Sequence, residues 1–208
     1  MHIPDGFIPL YQSILYWIIS FIYLIIIFYK ISNDKQFYKQ LVLIGILTAA
    51  TVVASSLSIP SPMGVSMHLF LIPLVVIILG FLKGSLVSFI SLLFQAFFLG
   101  MGGVTTLGAN FLVMGIVLSI VTYLVYNLFL DLNRTVAIFS STLLGIISAT
   151  FIQIIILLFT GTTSLNVLLV SLLPFYLIVG IIEGVLNIII LNFINRANPN
   201  ILELGVLN

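Results

Sequence analysis

The sequence predicts an all-α, polytopic membrane helix bundle of about seven transmembrane helices, with the N-terminus outside and the C-terminus cytoplasmic. Three observations predict it. The 208 residues are 62% hydrophobic and only 5% charged, against roughly 25% charged in a soluble domain. Apolar runs recur along the chain with no charged face, as lipid-exposed helices require. The few basic residues fall in alternate gaps between those runs. A soluble enzyme, a disordered chain and a nucleic-acid-binding domain are excluded by the composition. The net charge of +1 is too small for a polyanionic partner. Without cysteine there is no disulfide, thiolate metal site or cysteine nucleophile.

The runs are Pro9 to Lys30, Gln40 to Leu57, His68 to Leu82, Ser85 to Leu99, Leu107 to Leu130, Thr135 to Phe159 and Leu165 to Arg196. At roughly 20 residues per span, seven spans need about 140 residues, so the connections must be short. The third and fourth runs are short and nearly continuous, split only by Gly80 and by Lys83-Gly84. They read as a hairpin of short helices or as a partly re-entrant segment. No repeat or linker divides the chain, so residues 1–208 form one domain, with residues 1–8 as an N-terminal arm.

The basic residues orient the bundle. Lys30, Lys35 and Lys39 follow the first run, Lys83 follows the third, Arg134 the fifth and Arg196 the seventh. Seven spans put all six on one face, and the positive-inside rule makes that face cytoplasmic. The outer face then holds the N-terminus and the connections 58–67, 100–106 and 160–164. Both histidines, His2 and His68, belong to it. The start lacks the basic region of a signal peptide, so the N-terminus is expected to be retained. The bulk of His2 is expected to protect Met1 from removal.

A free amine followed by a histidine in second place is a chelator. The Met1 amine and the His2 backbone nitrogen close a five-membered ring on a metal, and the His2 backbone nitrogen and Nδ1 close a six-membered one. His68, the other imidazole, would complete a square of nitrogens, a geometry that suits Ni(II) or Cu(II). Binding would release protons, so affinity should rise with pH. Pro4 biases Ile3 toward an extended conformation. Pro4-Asp5-Gly6 reads as a turn, so a short arm can fold back from the first helix. The alternative is that His2 merely follows the initiator and His68 merely sits at the headgroup interface. Spacing alone does not decide between them.

Met1-His2-Ile3-Pro4-Asp5-Gly6-Phe7 resembles the opening of the CbiM/NikM family, the substrate-capture (S) components of energy-coupling factor transporters for cobalt and nickel. Val65-Ser66-Met67-His68-Leu69 resembles that family's segment with the second histidine. Phe94 to Gly100, followed by Gly102-Gly103-Val104-Thr105-Thr106-Leu107-Gly108-Ala109-Asn110, resembles its central loop. Ile182-Glu183-Gly184 and Asn198-Pro199 resemble its last helix and tail. The resemblance implies metal ligation by the Met1 amine, the His2 amide and imidazole, and His68. The transported substrate would be Co2+ or Ni2+. Its partners would be a transmembrane coupling protein, two cytoplasmic ATPases and a small auxiliary membrane subunit, because no fused extra helices follow the seventh span. The chain itself has no phosphate-binding Gly-x-x-x-x-Gly-Lys-Ser/Thr loop and should not hydrolyse ATP. Met101 stands where relatives often carry His or Asp, and a thioether cannot replace either.

Asp5, Gln95, Met101, Thr105, Thr106 and Asn110 are candidates to hold the central loop over the site, or else to satisfy unwound backbone at membrane depth. Glu183 is the one acid well inside a span, where an unpaired charge costs several kcal/mol. It reads either as a coupling carboxylate or as a neutral acid bonded to polar neighbours such as Asn187. Ala50 and Ala54 form a small-xxx-small face. By resemblance, the second helix from Thr48 to Ser55 would dock the coupling protein. Gly180 and Gly184 read as packing within the bundle. The competing function classes are a structural membrane subunit and an intramembrane enzyme. Glu183 and two histidines are a poor set for the latter, and the former would not need a free N-terminus.

Overall fold

A computed structural model describes residues 1–56, 59–60, 66–161 and 163–198. Val65 and Pro199, quoted above in two motifs, and most of the 58–67 connection lie outside the described residues. Among the described residues seven helices follow one another: α1 Leu10–Ser32, α2 Phe37–Ser56, α3 Ile72–Leu79, α4 Phe81–Leu99, α5 Leu107–Leu130, α6 Arg134–Phe159 and α7 Leu165–Ala197. A two-residue antiparallel pairing, Ile59–Pro60 with Ser66–Met67, closes the connection from α2 to α3. The chain is a multi-pass membrane protein: six of the helices are long and apolar enough to cross a bilayer.

The third run departs from the expected span. Leu71, at φ 54, starts the helix late, and Gly80, at φ 80 and ψ 169, ends it early. Pro73 sits in the first turn, where its missing N–H costs nothing. What remains is an eight-residue helix, about 12 Å at 1.5 Å per residue. All eight residues of α3 are buried, so it meets protein rather than lipid. The fourth run is longer than expected, because Phe81 to Gly84 continue its first turn.

The outer helices show why an unbroken apolar surface was the right signal. α1 buries Ser13, Ser20, Leu24, Ile27 and Ile31, one face at helical spacing. α2 buries Gln40, Ile44, Leu47, Thr51 and Ser55 in the same way. Most of their remaining apolar side chains, such as Ile18, Ile22, Ile25, Val42 and Ile46, are exposed, while Trp17, Tyr23 and Leu43 are half-buried against the core. Asn133 caps α6: its Oδ1 accepts from the backbone of Thr135 at 2.8 Å and Val136 at 3.2 Å.

Contacts at the helix ends group the connections at two ends of the bundle. On one face the arm meets the 100–106 connection, and Gln12 Nε2 donates to the Phe159 carbonyl at 2.7 Å. On the other, Lys83 Nζ lies 2.6 Å from Asp34 Oδ2, which joins the α1–α2 turn to the start of α4. Residues 68–83 therefore run from one face to the other, so α3 and the extended stretch before it make a short, buried crossing.

Two π-helical turns, Gln95–Leu99 and Leu112–Val117, flank the 100–106 connection. α5 comes close to α1 at Gly108, where a Cβ would lie 2.6 Å from the Trp17 backbone nitrogen. Ser20 Oγ donates to the Gly108 carbonyl at 2.8 Å, and Trp17 Nε1 to the Val104 carbonyl at 3.2 Å. This close seam brings the start of α5 under the arm.

Candidate metal centre

The arm is extended through Ile3 and then turns. Phe7 N donates to the Pro4 carbonyl at 3.4 Å, and Gly6, at φ 87, takes the left-handed conformation the turn needs. Met1 and Ile3 are buried, each 2% exposed. The arm thus lies inside the bundle mouth rather than in solvent.

Three polar residues of the central loop and α5, Thr105, Thr106 and Asn110, hold it there, together with Asp5 of the arm itself. Asn110 takes both backbone groups of Ile3: the Ile3 N–H donates to Oδ1 at 2.8 Å, and Nδ2 donates to the Ile3 carbonyl at 3.1 Å. Thr106 Oγ1 donates to the same carbonyl at 2.6 Å. Asp5 accepts from Thr105 Oγ1 at 2.6 Å and from the backbone N–H groups of Val104, Thr105 and Thr106 at 3.1, 2.9 and 3.3 Å. Desolvation pushes the Asp5 carboxyl up. The hydrogen bonds from the Thr105 side chain and the three backbone groups outweigh it and hold the pKa below its ordinary value.

Two glycines make room for this contact. A Cβ on Gly102 would lie 2.9 Å from Asn110 Nδ2 and 3.5 Å from His2 Nδ1, and its φ of 77 already favours glycine. A Cβ on Gly103 would run into the Asp5 carboxylate. Sequence reasoning noted the Gly-Gly pair only as a motif. Its physical signal is the glycine that close backbone approach requires.

The seated arm brings His2 and His68 together. Their ring centroids are 5.0 Å apart, with the planes inclined at 31°. Both ring nitrogens of His2 and Nδ1 of His68 are buried with no hydrogen-bond partner. Three such atoms gathered on two adjoining imidazoles form a set of nitrogen donors that fits a metal ion. Burial pushes the Met1 amine down from 8.0 to about 4. It also pushes His2 well below 6.5, helped by the Met1 charge and by His68. His68 falls to about 3 through burial and then the Met1 charge. All three groups are therefore neutral at pH 7, with lone pairs free for a metal. No cluster of three or more His, Cys, Asp or Glu side chains occurs among the described residues. What converges is two imidazoles and a terminal amine.

The residues matching the 2–201 stretch of this chain are those of a family described as the cobalt uptake substrate-specific transmembrane region, CbiM. The chain belongs to the CbiM family. It is 35% identical to a cobalt transport protein CbiM of Clostridium tetani, over 99% of this chain and 89% of that protein. It is 33% identical to a protein of Archaeoglobus fulgidus named as a fused nickel transport protein, NikMN, over 98% of this chain and 68% of that one. A solved structure described as a truncated transition metal transporter superposes with a TM-score of 0.84 at 25% identity, covering 95% of this chain and 99% of that one. The chain is accordingly a membrane component of metal uptake.

The remaining candidates fall elsewhere. Gln95 donates through Nε2 to Ser55 Oγ at 2.6 Å. It lines a small cavity with Ser88, Ser91 and Phe70 rather than the arm. Met101 lies at the mouth, half-buried, and its backbone N–H donates to the Gln95 carbonyl at 3.1 Å. Ala50 is exposed on α2 and Ala54 half-buried. Beside them, Gly45, Thr48, Ala49, Val52, Ile90 and Phe94 line an apolar groove between α2 and α4. Asn187 does not partner Glu183; its Nδ2 donates to Thr142 Oγ1 at 3.0 Å. The backbone N–H groups of Phe70 and Leu71 bond to Glu183 instead.

Proposed function

We propose that this chain is the substrate-capture subunit of an energy-coupling factor importer that takes up Ni2+ or Co2+ from outside the cell. The observation that carries the reading is the His2–His68 pair: two imidazoles 5.0 Å apart, with three buried nitrogens unpartnered, beside the buried Met1 amine. With Met1 as the mature N-terminus, the amine, the His2 amide and Nδ1 chelate the ion and His68 supplies a fourth nitrogen. Nitrogen donors in this number suit late first-row divalent metals. The names of the relatives, cobalt and nickel transport proteins, favour those two substrates over copper.

The chain acts as a transport subunit and not as an enzyme. The positive-inside rule puts the arm outside, so the metal loads there. ATP hydrolysis belongs to two cytoplasmic partner ATPases coupled through a transmembrane protein, with a small auxiliary membrane subunit alongside. The α2 face around Ala50 and Ala54 is the docking surface for the coupling protein. Replacing both alanines with Leu should abolish co-purification while leaving metal binding intact; unchanged assembly would remove this surface from consideration.

One added residue before Met1, or acetylation of its amine, tests the chelate. Titration with nickel and with cobalt should show loss of binding while the helical signal is kept. A blocked protein that binds either metal with full affinity refutes the N-terminal site.

A further inference from the structure

Glu183 is completely buried in the middle of α7. Its two carboxylate oxygens accept from consecutive backbone groups: the Phe70 N–H to Oε2 at 2.8 Å and the Leu71 N–H to Oε1 at 2.9 Å. Those two residues follow His68 with Leu69 between. Leu71 is the one non-glycine residue with positive φ among the described residues, a conformation that must be held by its surroundings. It also opens α3, whose first N–H groups point out of the helix and favour a negative charge. The Phe70 ring packs edge-on against His68, with centroids 5.0 Å apart. A continuous set of contacts therefore runs from α7 through Glu183, the 70–71 backbone and the Phe70 ring to the His68 imidazole.

We infer that Glu183 is a positioning residue for the metal centre, fixing the turn at Phe70–Leu71 so that His68 is aimed at His2. The inference rests on the metal-capture reading above. Glu183 touches no metal. It ties the position of α7 to the geometry of one ligand, so a displacement of α7 against α3 withdraws His68 while leaving the N-terminal chelate whole.

The test is a nickel titration of purified protein in detergent, with the visible absorption spectrum as readout. Wild type and His68→Ala are the references. Glu183→Gln keeps the shape but presents an amide N–H to one of the two backbone donors. It should lower nickel affinity about 10- to 100-fold, as lost support of a metal ligand does. Its spectrum should move to that of His68→Ala. In the His68→Ala background the same change should have no further effect on affinity. Glu183→Asp, with the carboxylate set back, should give an intermediate spectrum, and it replaces Glu183→Gln throughout if that variant does not fold. A folded Glu183 variant with wild-type affinity and spectrum overturns the inference. So does an equal loss of affinity in both backgrounds, which would mark a general packing role. If His68→Ala itself leaves the spectrum unchanged, His68 is no ligand and the inference is overturned, while the metal-capture reading is judged separately by blocking the Met1 amine.

Discussion

Asn110 grips Ile3 by both of its backbone groups, accepting from the N–H at 2.8 Å and donating to the carbonyl at 3.1 Å. The side-chain amide pairs with the arm as a neighbouring strand would. It does so at 1% exposure, where an unmade hydrogen bond is costly. Thr106 still serves the Ile3 carbonyl if Asn110 is lost. The N–H has no second acceptor among the described contacts. Asn110→Ala should therefore unseat the arm by about 1–3 kcal/mol, the cost of one orphaned buried donor. That corresponds to roughly a 5- to 150-fold loss in nickel affinity. Isothermal titration of the folded variant checks it, and unchanged affinity would show that the arm is held by other contacts.

Room for the arm is the second requirement. Gly102→Ala brings a methyl group to 2.9 Å from Asn110 Nδ2 and 3.5 Å from His2 Nδ1, on backbone with φ 77. Gly103→Ala drives a methyl into the Asp5 carboxylate. Both should abolish tight metal binding, while the helices, which these residues do not enter, keep their circular dichroism. Wild-type titration curves for either would mean that the arm seats differently when loaded.

The seated arm should be sensitive to acid. The Met1 amine falls from 8.0 to about 4, His68 from 6.5 to about 3, and His2 well below 6.5, mainly through burial. Each folded value is lower than the unseated one, so the unseated arm binds more protons and acid favours it. Seating is complete above pH 8 and is lost progressively as pH falls toward 4. Trp17 is the chain's single tryptophan. Its indole bonds to Val104, whose N–H bonds to Asp5. Metal-free protein should therefore change its tryptophan emission between pH 8 and pH 4. A flat response over that range would contradict burial of the neutral amine.

A span count and six basic residues led to the expectation of His2 and His68 on one face, and the family resemblance to their joint ligation; that the rings lie 5.0 Å apart depends on the seated arm. Thr105, Thr106 and Asn110 were legible as candidates to hold the central loop over the site or to satisfy unwound backbone; that Asn110 holds Ile3 depends on the α1–α5 seam. The nature of α3 was not readable from its hydropathy, since an apolar run that faces protein looks like one that faces lipid. Gly80 was the available sign that the run breaks early. Glu183 was legible as an anomaly, but its partners were not. Backbone N–H groups leave no mark in a sequence, so the nearest polar side chain, Asn187, stood in for them. Gln95 shows the reverse: a conspicuous polar residue beside the loop turns instead toward Ser55 on α2.

The face opposite the metal centre offers the last prediction. The side chains of Lys83 and Asp34 are 5% and 20% exposed, with Nζ and Oδ2 2.6 Å apart. Removing one member of a buried pair costs more than removing both, because the survivor stays desolvated and unpaired. Asp34→Asn should destabilise the apo protein by about 1–3 kcal/mol, less than for a fully enclosed pair, since water still reaches Asp34. Lys83→Met with Asp34→Asn should recover most of that loss, because the methionine fills the lysine stem's space without a charge. Thermal unfolding in detergent measures both. Nickel affinity should stay within about twofold of wild type in either, because the pair lies at the far end of α1 from the arm. If the double variant unfolds as early as Asp34→Asn alone, the pair holds the α1–α2 turn through its charge rather than its packing.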